Sequence, residues 1–351
     1  MLRAAIVADW RLLLFGMLMT FWSSPGQTYL ISLFGGEIRS TFDLSHGQFG
    51  SIYSLGTLLS ALVLLWTGRL VDHLPLRTIS IGVIIGLALG CAWMSQTSGT
   101  LGLVLGIFLL RQCGQGLMTL ISATAMVRYF QTVKGKATSI SHLGFTLAEA
   151  TLPALVIATI AFAGWRQTWL ILGVVLIGLI PCIAWLLGQH AHRHARYLRD
   201  IELSERQSHR QPVRHHWTRG EVLRDPRFYL YMPAQLCPSF FFTGFFFHQI
   251  YLVEYKGWDL KQWGVLFGVY AAASLVATIA SGPLVDRLGA IRHLPWFCVP
   301  LGIGLLILSL TDHGVVAPIF LAMTGITSGW NPTVVGPFWA DMYGTRHLAS
   351  I

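Results

Sequence analysis

Charge is what this sequence has least of. Of its 351 residues, 11% are Asp, Glu, Lys or Arg and 54% are hydrophobic, whereas a soluble domain devotes roughly a quarter of its residues to charge. That shortage excludes a soluble enzyme with a charged shell around its core. Cysteines are also few. Cys91, Cys113, Cys182, Cys237 and Cys298 all fall within apolar runs and lack the spacing of metal ligands, so they read as inert buried thiols, with no disulfide and no zinc. The run after Arg11 is about twice the length of a signal h-region and lacks a small-residue cleavage site. It is read as a first spanning helix.

Long apolar runs are what the chain does have. They fall at 12–36, 48–67, 79–95, 101–127, 140–164, 168–188, 228–252, 262–281, 294–311 and 315–340, giving ten expected spans. Each approaches the roughly 20 residues needed to cross about 30 Å of hydrocarbon as a helix. The expected class is an all-α membrane protein embedded in the lipid bilayer. Only Arg111 and Glu149 carry a formal charge within those limits.

The surplus of bases sets the orientation. With the N-terminus in the cytoplasm, 19 Lys and Arg fall inside and four outside, namely Arg39, Arg166, Lys256 and Lys261, with Arg111 left in the membrane. This satisfies the positive-inside rule, and the expected location is the plasma (inner) membrane. Residues 189–227, with nine Arg, five acids and six His, read as a cytoplasmic basic linker carrying a surface helix over 191–208. Metal capture by His190, His192 and His194, or by His215 and His216, is a weak reading, because alternating histidines alone do not define a site. No folded module for nucleic acid is expected in so short a linker.

An internal repeat organises the rest. Gly68-Arg69-Leu70-Val71-Asp72-His73-Leu74 follows span 2 and Gly282-Pro283-Leu284-Val285-Asp286-Arg287-Leu288 follows span 8, matching at five of seven positions at an offset of 214. Phe42-Asp43-Leu44 and Trp258-Asp259-Leu260 precede the same two spans. The chain therefore divides into a six-helix bundle at 1–188, the linker at 189–227, and a second bundle at 228–351 with four helices.

With these residues the sequence resembles transporters of the major facilitator superfamily. Gly68, Leu70, Asp72 and Arg77 fit that family's loop motif between helices 2 and 3, and Gly282, Asp286 and Arg287 repeat it. Arg111-x-x-Gly114-x-Gly116, the Gly164-Trp165-Arg166 turn and the basic linker extend the resemblance over essentially the whole chain. It implies two six-helix bundles related by a pseudo-twofold axis, with a solute site between them near the bilayer midplane. Since Ile351 corresponds to Ile140, the equivalents of helices 11 and 12 are expected to be missing from the second bundle. By resemblance Asp72 would meet the start of helix 11, and Asp286 the start of span 5 near residues 139–142. Asp286 thus keeps its expected partner, and replacing it by Asn is expected to disturb the gate, while the same change at Asp72 is expected to do little.

Candidate transport residues are the polar groups set deep. Arg111 and Glu149 lie about 24 and 18 Å from the inner ends of their spans, at 1.5 Å per residue. They read either as solute or proton handling groups, or as an ion pair or carbonyl-held cation that closes the bundle. Pro25 within Ser23-Ser24-Pro25-Gly26 should break span 1, which brings forward Gln27 and Tyr29. Span 7, the duplicate of span 1, offers Gln235 between Pro233 and Pro238, and His248 and Gln249 near its outer end. Asn331 lies in Trp330-Asn331-Pro332, which with Gly336-Pro337 suggests a second broken helix. Phe240 to Phe242 and Phe245 to Phe247 read as lipid-facing or packing surface.

No nucleophile motif or dense carboxylate group occurs in a span, so no enzyme and no cofactor are expected. The expected function is secondary transport of a small solute by a monomer using alternating access, with a coupling proton as a candidate partner. The deep Arg and a likeness to the monocarboxylate-porter side of the superfamily favour an organic anion such as a monocarboxylate. A drug/proton efflux antiporter, or a non-transporting solute sensor or remnant, is the alternative.

Overall fold

The computed structural model describes residues 9–188, 193–195, 197, 199 and 217–348; among these, the side chains at 247–251, 254, 260, 261, 264, 265 and 267 are not described. His190, His192, His215, His216, most of the expected 191–208 helix, and the side chains of His248, Gln249 and Phe247 lie outside that description.

The described residues are helical with no strand. Span 2 is His46–Thr67, span 3 Leu76–Gln96, span 4 Thr100–Tyr129, span 5 Lys134–Ala163 and span 6 Trp165–Leu186. Span 7 is Pro226–Tyr255, span 8 Leu260–Leu288, span 9 Val299–Leu310 and span 10 Val316–Tyr343. Among the described residues, six helices are long and apolar enough on their own to cross a membrane. Local chemistry sets the ends. Ser45 and Gln48 form a reciprocal capping box at the start of span 2, and Gly164, at φ 82°, turns span 5 into span 6 through a conformation that a Cβ would strain.

Two sequence expectations shift. Span 9 begins at Val299 rather than 294, because Pro300 is tolerated only in a helix's first turn and Pro295 precedes a separate turn. Span 10 is one continuous helix rather than a broken one, although Pro332 and Pro337 lie inside it. Thr333 Oγ1 donates to the Trp330 carbonyl at 2.7 Å and lies 2.8 Å from Ser281 Oγ on span 8, so polar groups near the proline are partnered without unwinding.

One large core gathers residues from Leu12 to Leu187, and smaller cores collect residues between 222 and 343. Span 5 packs on span 1 within the first bundle and crosses span 8 of the second. Glycines permit these approaches: a Cβ on Gly282 would lie 2.8 Å from Ser139 Cβ and 3.0 Å from the Gly135 carbonyl oxygen. Cys182 is exposed, and Cys91 and Cys113 are buried.

Candidate functional site

Span 1 breaks where Pro25 predicts. The helix Trp10–Trp22 gives way to a 3₁₀ turn at Ser24–Gly26, Gln27 is extended, and the helix resumes at Thr28–Ile31. The serines take up the carbonyls freed by the break: Ser23 Oγ donates to Thr20 O at 2.7 Å and Ser24 Oγ to Phe21 O at 2.5 Å. Tyr29 OH donates to Ser24 Oγ at 2.7 Å and Gln27 Nε2 to Ser23 Oγ at 3.2 Å, so the break also fixes both candidate side chains.

Opposite the break, span 4 widens into a π-helical segment, Arg111–Met118. Such segments are frequent at functional sites. Here the segment carries Arg111 and Gly114 to the break: a Cβ on Gly114 would lie 2.7 Å from Gly26 Cα. Arg111 Nη1 donates to Thr28 Oγ1 at 3.1 Å and to the Gly26 carbonyl at 3.4 Å, and the guanidinium lies 5.4 Å from the Tyr53 ring centre. Tyr53 OH donates to the same Thr28 oxygen at 2.8 Å. Arg111 is thus held by one hydroxyl and one carbonyl of the span 1 break. No ion pair joins Arg111 to Glu149 among the described residues.

A cavity of about 520 Å³ lies between the bundles, within the 300–1,000 Å³ typical of small-molecule sites. Its first-bundle wall is hydroxyl- and amide-rich, including Thr28, Gln27, Tyr29, Gln115, His142 and Glu149. The second-bundle wall is more aromatic, with Phe242, Phe246, Tyr270 and Trp339 beside Ser328 and Asn331. Gln115 Oε1, Thr138 Oγ1, His142 Nε2 and Asn331 Oδ1 belong to residues that line it and make no hydrogen bond among the described residues. The phenylalanine runs are thus split. Phe242 and Phe246 face the cavity, Phe245 packs against Phe320 at 4.7 Å between ring centres, and Phe240 is 76% exposed.

Of the sequence candidates, Gln27, Tyr29, Glu149 and Asn331 therefore meet at one cavity. Arg111 stands one residue behind its wall, touching Thr28. Gln235 does not line it; its amide is buried in the second bundle with both polar atoms unpaired.

Comparison with known proteins places this architecture. Residues 13–351 match the profile of the Major Facilitator Superfamily. The chain belongs to this superfamily. A relative, the probable sulfoacetate transporter SauU of Cupriavidus necator, is 26% identical over 268 residues, covering 74% of this chain and 60% of that protein's length. Among solved structures, the proton:xylose symporter XylE bound to 6-bromo-6-deoxy-D-glucose aligns with a TM-score of 0.69 at 12% identity over 97% of this chain and 85% of that one. The human organic anion transporter MFSD10 aligns with a TM-score of 0.66 at 15% identity over 97% of this chain and 90% of that one. At such identities the structures show the fold alone. That relative and both solved neighbours are described as transporters rather than enzymes.

In this superfamily member the repeated loop motifs lie at the linker end of the molecule. Asp286 accepts from the backbone N–H groups of Gly135 at 2.7 Å and Lys136 at 3.1 Å, at the first turn of span 5. That is one turn earlier than residues 139–142, because Gly135 and Gly282 let the backbones approach there. Anions are favoured at such a terminus, whose N–H groups have no helical partner. Lys134 adds an ion pair to Asp341 at the end of span 10. Asp72 receives Arg128 Nη2 at 2.5 Å; the two side chains are 2% and 7% exposed. Arg128 also donates to the Arg346 carbonyl at 3.4 Å, which links the first motif to the chain after span 10. Gly68 is buried, in ordinary helical conformation, while Arg77 and Arg287 are exposed.

Sequence reasoning passed over Thr28, His142 and Arg128. A hydroxyl beside a break and a histidine two helical turns from Glu149 on span 5 were visible signals for the first two. Nothing in the sequence singles out Arg128 from the other interfacial bases.

Proposed function

We propose that this transporter moves a small organic anion across the plasma (inner) membrane by alternating access, with its N-terminus, both motif loops and the linker cytoplasmic. Arg111 carries the reading. It is 6% exposed and is held by two neutral oxygens and a ring, with no acid paired to it among the described residues. A solute charge about 8 Å away at an effective dielectric of 20 would gain about 2 kcal/mol from it. The relative described as a probable sulfoacetate transporter fits the same chemistry. Gln27, Tyr29 and Asn331 supply hydrogen bonds to the solute from the two facing walls. Glu149 is the group whose charge must be balanced during the cycle. The contacts of Asp286, Lys134 and Arg128 at the linker end must part for the cavity to open there.

The test is uptake of labelled sulfoacetate and short monocarboxylates into proteoliposomes. Arg111→Gln should lower uptake by about tenfold or more, as the loss of about 2 kcal/mol of attraction implies. Uptake by the variant at the unaltered rate refutes the reading. Efflux of a lipophilic cation against protons is a second reading, favoured because no Lys or Arg side chain lines the cavity among the described residues while Glu149 and Trp339 do. Export of a cationic dye driven by a proton gradient, without anion uptake, would establish it instead.

A further inference from the structure

Glu149 stands at the middle of the 30-residue span 5 helix, about 22 Å from its first residue. It faces the cavity and, among the described residues, forms no ion pair and no hydrogen bond. An ionised carboxylate so deep, without a partner cation, is costly. Its surroundings are aromatic. The Tyr29 ring meets Phe145 edge-on at 6.0 Å, and across the cavity Tyr270 meets Phe246 at 5.6 Å. Both tyrosines line the same cavity as the carboxylate.

A carboxylate beside aromatic rings is the chemistry that recognises an ammonium group, through a charge-assisted hydrogen bond and the negative faces of the rings. The opposite charge is close by in the chain. Arg111 holds Thr28, the residue next to Tyr29, so one cavity is flanked by a cation and an anion that do not pair with each other.

We infer that the solute is a short zwitterion, an amino-carboxylate or amino-sulfonate. Its acid group lies toward Thr28 and Arg111, and its ammonium lies against Glu149 between the rings. The inference rests on the organic-anion reading and adds the second charge.

Matched pairs of solutes test it in proteoliposomes: β-alanine against propionate, and taurine against ethanesulfonate, each pair differing by one amino group. The zwitterions should be taken up roughly 10- to 100-fold more efficiently, the range for one hydrogen bond to a charged group. Glu149→Gln should collapse that ratio to near unity, and Glu149→Asp should retain part of it. If the unaltered protein carries the deaminated acids equally well or better, or Glu149→Gln keeps the ratio, the zwitterion inference falls and the organic-anion reading stands. Uptake of none of the four solutes overturns both.

Discussion

Neutralising Asp72 is the most demanding perturbation the structure suggests, because the missing-helix argument from sequence assigns it little effect. Asp72→Asn keeps the shape of the side chain and removes its charge. Arg128 then stays 7% exposed, beside a neutral amide. Two unit charges with centres about 4 Å apart attract by about 4 kcal/mol at an effective dielectric of 20, and orphaning one member of a buried pair costs roughly 3–5 kcal/mol. At roughly 2–4 °C per kcal/mol for a large domain, the variant should lose about 6–20 °C in thermal unfolding in detergent. Arg128→Gln should cost a comparable amount. The double variant should be no worse than either single one, since removing both charges leaves nothing orphaned. Strictly additive losses, or a shift below about 2 °C for Asp72→Asn, would refute the argument.

Further outcomes are expected. Asp286→Asn weakens both bonds to the span 5 backbone, so a cysteine placed near Ser139 should react faster with a membrane-impermeant thiol reagent from the linker side; unchanged reactivity counts against a gating role. Gly26→Ala should destabilise by roughly 1–3 kcal/mol or more, because its Cβ would meet Gly114 Cα at 2.7 Å and the Gln115 backbone nitrogen at 2.8 Å. Gly16→Ala should cost less, since its Cβ would meet the flexible end of Met126, Cε at 2.8 Å, and detergent thermal shifts rank the two. Asp225, in the segment before span 7, accepts from Arg227 Nε at 3.0 Å and from Tyr343 OH at 3.1 Å, and the Arg227 hydrogen bond holds its carboxyl below the usual carboxylate value. A lowered folded value means this anchor is complete above the ordinary Asp range and is lost only as pH falls through the lowered one. The fluorescence of Trp217, whose N–H donates to the Tyr343 carbonyl at 2.9 Å, should therefore be flat from neutral pH down to the ordinary Asp range and change only below it.

The expected spans were legible because runs of apolar residues and the positions of Gly68 and Gly282 are one-dimensional signals. The break at Pro25 was legible for the same reason, since a missing N–H is a property of one residue. The unbroken span 10 was not. Whether Pro332 interrupts a helix depends on Thr333 finding Ser281 on another span. Residue type identified Arg111 and Glu149 as buried ions, but the π segment turns Arg111 toward Thr28. Helical phase decides which side of a span faces the cavity, and a widened turn alters phase without altering composition.

The crossing of spans 5 and 8 at Gly135 and Gly282 has a thermodynamic corollary. At that point the two glycines contribute no side chain of their own, so parting the backbones frees no rotamers from either of them. Under the proposed alternating access, what would have to part there is the bond from the Ser139 hydroxyl to the Thr278 carbonyl and a handful of charges, those of Asp286, Lys134 and Asp341. Each 1.4 kcal/mol at those charges is a tenfold change in the ratio of the two states, which makes this end of the molecule tunable by ionic strength and by single substitutions without repacking either bundle.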